Sequence, residues 1–285
     1  MSKFDLGGRR ALVLLAALSL SAVAFTACGD DDDDDSSEPS SVALEAAGSE
    51  GNLELTGPSE AEAGPAEITL TNNSDAELDG QLAFVAEGED RSDEEVLAEL
   101  QNAVQGRPVA DWFQAVGGPG FAGQGESTTS TIVLEPGTYY LVPGDEPPQP
   151  LTKFTVSGDG DGELPAADGT VVAAEYSFTG EDLKAGEQKL LLDNQGGTWH
   201  HFQAFKLNPD ATIEDAETFF REEQGRPPFG EELPVESTVM DGGRSELVDA
   251  NLQPGTYAFV CFISDKTGGP PHIAKGMISE IEVTE

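Results

Sequence analysis

Histidine, cysteine and basic residues are all scarce in this chain. Three His in 285 residues leave no room for metal clusters built from many imidazoles. Two Cys exclude a disulfide framework. Lys and Arg number 14 against 54 Asp and Glu, a formal charge of −40, so the basic stripe of a phosphate-backbone binder is missing and no nucleic-acid partner is expected. No Gly-x-Ser-x-Gly, His-Glu-x-x-His or phosphate-binding loop occurs. The longest apolar run, Ala11 to Phe25, is 15 residues, short for a membrane span. Glycine is abundant instead: 33 Gly with 18 Pro favour a turn-rich β protein over a helical bundle.

That apolar run follows Lys3, Arg9 and Arg10, so residues 1–27 read as an export signal. It ends Phe25-Thr26-Ala27-Cys28, which resembles a bacterial lipobox with Phe25 where Leu is usual. The resemblance implies acylation of Cys28 and a lipid anchor in the cell membrane, with the protein on its extracytoplasmic face. Six consecutive aspartates, Asp30 to Asp35, cannot pack against one another, so residues 28–48 read as an acidic, disordered tether.

The remainder repeats itself. Leu55-Thr56-Gly57 corresponds to Phe178-Thr179-Gly180, and Gln105-Gly106-Arg107-Pro108 to Gln224-Gly225-Arg226-Pro227. Leu134-Glu135-Pro136-Gly137-Thr138-Tyr139 corresponds to Leu252-Gln253-Pro254-Gly255-Thr256-Tyr257. Matches in one order at a near-constant spacing define two units, residues 49–157 and 169–285, joined by a Gly/Asp-rich linker at 158–168. Each shows about seven short strands punctuated by turns, an all-β pattern of two tandem β-sandwiches. Each also carries an inserted helix. Ser92 with Glu95 forms a capping-box pattern, and Thr212 with Asp215 a shorter version of it. Phe219 and Phe220 on the second helix are expected to pack on the sandwich.

If Cys28 is acylated, Cys261 is a lone thiol in an oxidising compartment. Burial as a small hydrophobe is one reason for it. Metal ligation is the other. Cys261 follows a strand, His272 comes after ten intervening residues, and Met277 after four more. Upstream, Asn194-Gln-Gly-Gly-Thr-Trp precedes His200-His201 at a strand opening. A thiolate, two imidazoles and a weak axial thioether make the ligand set of blue copper centres.

On these residues the second unit resembles the cupredoxins, the family of plastocyanin, azurin and rusticyanin. The resemblance implies one copper ion held by His200, Cys261, His272 and Met277, with His201 as the alternative to His200. The loop from Cys261 to His272 is longer than in small electron carriers and nearer that of copper nitrite reductases. The first unit has Pro143 at the Cys261 position, Leu78-Asp79 at the His200 position, and neither His nor Met over residues 143–157, so it is expected to lack metal. The expected function is a membrane-anchored blue-copper-type protein for electron transfer or copper binding. The alternative is a metal-free cupredoxin-like binding or scaffold lipoprotein. Three His are too few for the extra copper centres of a two-domain oxidase or nitrite reductase, so no enzyme activity is expected. The acidic balance fits a basic redox partner such as a cytochrome, and fits salt adaptation equally.

Overall fold

Strict alternation opens the fold. Val42, Leu44 and Ala46 are buried while their neighbours face outward, and this period of two makes residues 40–49 a strand. The computed structural model describes residues 38–144, 150–159, 162–222, 224–230 and 232–285. The export signal, Cys28 and the aspartate run lie outside the described residues. The tether expected over 28–48 is corrected at its C-terminal end: from Ser40 the chain is strand, because its three apolar side chains fill the first core.

The N-terminal half runs β1 (Ser40–Ser49), β2 (Asn52–Thr56), β3 (Glu60–Glu62), β4 (Gly64–Ser74), β5 (Leu82–Ala86), α1 (Asp93–Val104), β6 (Gln114–Ala115), β7 (Ser127–Leu134), β8 (Gly137–Leu141) and β9 (Thr152–Ser157). The C-terminal half runs β10 (Gly169–Ala174), β11 (Ser177–Glu181), β12 (Gly186–Asn194), β13 (Gln203–Lys206), α2 (Ile213–Glu222), β14 (Val235–Glu236), β15 (Ser245–Leu252), β16 (Gly255–Val260), a 3₁₀ turn at His272–Lys275 and β17 (Ile278–Val283).

The protein is all-β, two sandwiches each with one inserted helix. One eight-stranded sheet, ordered β11-β10-β12-β15-β7-β4-β1-β2, runs through both halves. A five-stranded sheet, β3-β9-β8-β5-β6, covers its N-terminal part, and a four-stranded sheet, β14-β13-β16-β17, its C-terminal part. The halves meet where β15 pairs antiparallel with β7, Val248 opposite Ser130. Each sandwich encloses its own apolar core. Ile68, Leu70, Phe84, Tyr139 and Phe154 fill one, and Leu190, Leu192, Phe202, Phe259 and Ile281 the other.

Corresponding residues make corresponding contacts. Asn72 donates to the carbonyls of Ala76 and Ala122, as Asn194 does to those of Thr198 and Met240. The hydroxyl of Tyr139 accepts the N–H of Glu135, and that of Tyr257 the N–H of Gln253. Both helices start in reciprocal caps. Ser92 and Glu95 exchange side-chain-to-backbone bonds, and so do Thr212 and Asp215. Phe219 and Phe220 pack edge-on and stacked against Phe229, which joins α2 to the sandwich as expected.

Candidate metal centre

Three segments of the C-terminal half bring donor atoms together. The first is the turn after β12. Asn194 Oδ1 accepts the N–H of Gly196 while its Nδ2 holds two carbonyls, so the turn is tied to itself and to Met240. His200 then bridges Met240 in both directions, donating its N–H to one carbonyl at 3.0 Å and accepting at 2.9 Å. The second is the end of β16, where Cys261 continues the line of Phe259 and Val260 into the core. The third is the 3₁₀ turn after Pro270-Pro271. The N–H of His272 is held by the carbonyl of Ile263 at 2.8 Å. The turn closes at Gly276 with φ of 90°, a left-handed conformation glycine takes without strain.

His200, Cys261 and His272 are fully buried. Their donor atoms all lie within 4.8 Å of one another. Cys261 Sγ is 3.4 Å from His272 Nδ1, which is 3.1 Å from His200 Nδ1. Met277 is fully buried beside them on the main chain. Its N–H donates to the His272 carbonyl at 2.9 Å, and its carbonyl accepts the N–H of Cys261 at 3.3 Å.

His201 faces away. Its Nε2 accepts the N–H of Phe262 at 2.7 Å, and its ring sits edge-on to the Phe262 ring. The N-terminal half has no such group at the equivalent place. Leu78 makes with Ala122 the bridge that His200 makes with Met240, and Leu78 is packed in the apolar core. Pro143 follows β8 where Cys261 follows β16.

Burial dominates the electrostatics. It pushes the Cys261 thiol up to about 12. Burial, with His272 next, lowers His200 to about 4. His272 is lowered too, by burial, against the opposing pull of Asp265. Burial thus favours the neutral thiol and neutral imidazoles, and a cation entering the centre would displace the thiol proton. Two imidazole nitrogens and one sulfur, converging in a site without water access, are satisfied together by a soft, borderline metal ion. This donor set suits one copper ion.

The structure brings together His200, Cys261 and His272, which the sequence singled out, within surroundings that the sequence did not show. His272 Nε2 donates to Asp265 Oδ1 at 2.9 Å, and Asp265 is also held by Lys275 and by the Tyr176 hydroxyl. The N-terminal half braces the ligand loop. Lys266 accepts the N–H of Val109 on its carbonyl at 2.9 Å, and its ammonium pairs with Asp241. Trp199, next to His200, packs in a cluster with Val109, Phe113 and Tyr140. A carboxylate lying inside the Cys-to-His loop was the available signal for Asp265; nothing in the sequence pointed to Val109.

The class defined by fold and site is a double β-sandwich with one buried Cys-His₂ group among its described residues. No family model and no curated protein matches the chain. Solved structures with similar strand arrangements include a reduced auracyanin from Roseiflexus castenholzii, 16% identical over 41% of this chain and 95% of that one, TM-score 0.27. Auracyanin A, a blue copper protein from Chloroflexus aurantiacus, is 17% identical over 42% of this chain and 100% of that one, TM-score 0.29. A copper nitrite reductase from Nitrosomonas europaea is 16% identical over 87% of this chain and 95% of that one, TM-score 0.23. Likenesses at these scores decide nothing about the chemistry, which is read from the donor atoms themselves.

Proposed function

We propose that the chain is a blue-copper-type protein that carries single electrons or holds copper, without catalysis of its own. The observation that supports this is the convergence of His200 Nδ1, Cys261 Sγ and His272 Nδ1 in a fully buried pocket. Bound there, copper supplies one-electron chemistry between Cu(I) and Cu(II). Cys261 gives the strong thiolate bond, His200 and His272 the imidazole donors, and Met277 an axial thioether. The N-terminal sandwich, with Leu78 and Pro143 at the matching positions, takes no metal and serves as a brace or partner surface.

The remainder of the reading rests on the sequence. Cys28 is acylated and anchors the chain to the outer face of the cell membrane; two or three acyl chains hold firmly at about 0.8 kcal/mol per buried CH₂. Mass spectrometry of membrane-fraction protein should find the lipid on an N-terminal Cys28, and cleavage elsewhere would sink the anchor. The charge of −40 favours a basic redox partner such as a cytochrome, with an association rate that falls as salt rises.

The deciding experiment is copper loading of the full chain with metal analysis and a visible spectrum. One copper per chain and an intense thiolate-to-copper band are expected, and Cys261→Ser should abolish the band. No uptake, or a spectrum indifferent to Cys261→Ser, would leave a metal-free scaffold lipoprotein as the better account.

A further inference from the structure

Of the two candidate imidazole ligands, one is anchored by a charged side chain and the other is not. His200 Nε2 is buried and meets no hydrogen-bond partner among the described residues. His272 Nε2 donates to Asp265 Oδ1 at 2.9 Å. Asp265 lies on the loop between Cys261 and His272, so the loop that brings two ligands also brings the carboxylate. Its oxygens are held from the far side by Lys275 and by the Tyr176 hydroxyl, at 3.2 Å from Oδ1 and 3.4 Å from Oδ2. Lys275 stands over the Tyr176 ring at 4.6 Å, and that ring meets His272 edge-on at 5.2 Å. The carboxylate is therefore fixed in place, mostly shielded from solvent.

We propose that Asp265 is a positioning residue of the metal centre, one that holds His272 with Nδ1 bare toward the pocket and lends negative charge to the more highly charged oxidised ion. The proposal rests on the copper reading above. A proton shared between Nε2 and a carboxylate fixes which nitrogen is free, and it makes the imidazole a stronger donor. A stronger donor favours Cu(II) over Cu(I), which lowers the reduction potential. Lys275 acts against this by neutralising part of the carboxylate's charge, so the two side chains set the potential in opposite directions.

The test uses the full chain with Asp265→Asn, Asp265→Ala and Lys275→Met, and has a metal-free and a metal-loaded arm. Without metal, ring-nitrogen NMR should show His272 in the Nε2–H form, becoming a tautomer mixture in Asp265→Ala. With copper, Asp265→Asn should weaken Cu(II) binding about 10- to 100-fold. If Cu(I) binding is unaffected, each tenfold loss raises the potential by about 59 mV. Lys275→Met should move the potential the other way. If His272 keeps its Nε2–H tautomer in Asp265→Ala, or the potential and spectrum of Asp265→Asn match wild type, the proposal is wrong. Shifts of one sign in Asp265→Asn and Lys275→Met would also overturn it, since mere loosening of the loop predicts that. Failure of wild-type protein to take copper overturns the copper reading instead, and the tautomer measurement still decides whether Asp265 positions His272.

Discussion

His201 Nε2 accepts the main-chain N–H of Phe262 at 2.7 Å, so the residues next in sequence to His200 and Cys261 are bonded to each other. Strand alternation sends neighbours to opposite faces. One pair, His200 and Cys261, faces the pocket, and the other closes the layer behind it. His201→Leu should therefore keep copper and colour while costing about 1 kcal/mol of stability, because the half-buried N–H of Phe262 loses its acceptor. His200→Ala should lose most of the affinity. Copper stoichiometry and melting curves on the two variants check this, and colour lost only with His201 would reverse the assignment.

Met277 is placed to tune more than to hold. Its sulfur is a weak donor, so Met277→Leu should retain copper and raise the reduction potential. Voltammetry on the loaded variant measures the change. Loss of copper would show that the thioether carries affinity.

Gly196 lies against the first ligand. A Cβ there would sit 2.8 Å from His200 Nε2, closer than real Cβ atoms approach. Gly196→Ala should displace the imidazole, weakening copper binding and altering the spectrum, with the fold intact by circular dichroism.

Glu246 sits fully buried at the seam of the two halves. Its Oε2 accepts the N–H of Gly118 at 3.0 Å, and its Oε1 has no hydrogen-bond partner among the described residues. Burial pushes it up to about 8 from 4.5. Between those pH values the folded chain keeps a proton that the unfolded chain has lost. Stability therefore falls as pH rises through that window, by at most about 1.4 kcal/mol per unit from this group. Glu236, raised to about 7 chiefly by burial, adds to the fall. Denaturation at pH 5 and pH 8 should show Glu246→Gln losing less stability than wild type between the two. Equal losses would mean the carboxyl is hydrated.

Gln81 reaches from the N-terminal half to the Val239 main chain, accepting its N–H at 2.6 Å and donating to its carbonyl at 3.2 Å. Gln81→Ala should destabilise the whole described fold by about 1–3 kcal/mol in a single transition. Two resolved transitions by calorimetry would show that the halves unfold separately.

The strands and the two caps were legible because they depend on local signals, whereas the grouping of His200, Cys261 and His272 was implied by the resemblance to the cupredoxins. Alternation gives the strands, Ser92 and Thr212 give the helix starts, and Asn194 gives the turn that presents His200. Strand β1 was hidden by its neighbours: the acidic run and Ser-rich stretch before it read as one solvated tether. Asp265 and Val109 were hidden for a different reason. Their roles come from which surfaces the fold presses together, and no spacing along the chain encodes that. The choice between His200 and His201 needed the orientation of a backbone bridge to Met240.

The antiparallel join of β15 to β7 has a consequence for solubility. A sheet that stops at an unpaired strand offers a row of free N–H and carbonyl groups to any passing chain, and soluble proteins protect such borders. Here each half supplies the cover for the other's border. Val248 and Ser130 face each other at one end of the contact, and they are also corresponding residues of the two units, so the cover is reciprocal. Cutting the chain between β9 and β10 would leave the main-chain edges of β7 at residues 130–132 and of β15 at residues 246–248 without their cover. Self-association is expected from that exposure, which makes the N-terminal sandwich a safeguard against aggregation for the C-terminal one that carries His200, Cys261 and His272.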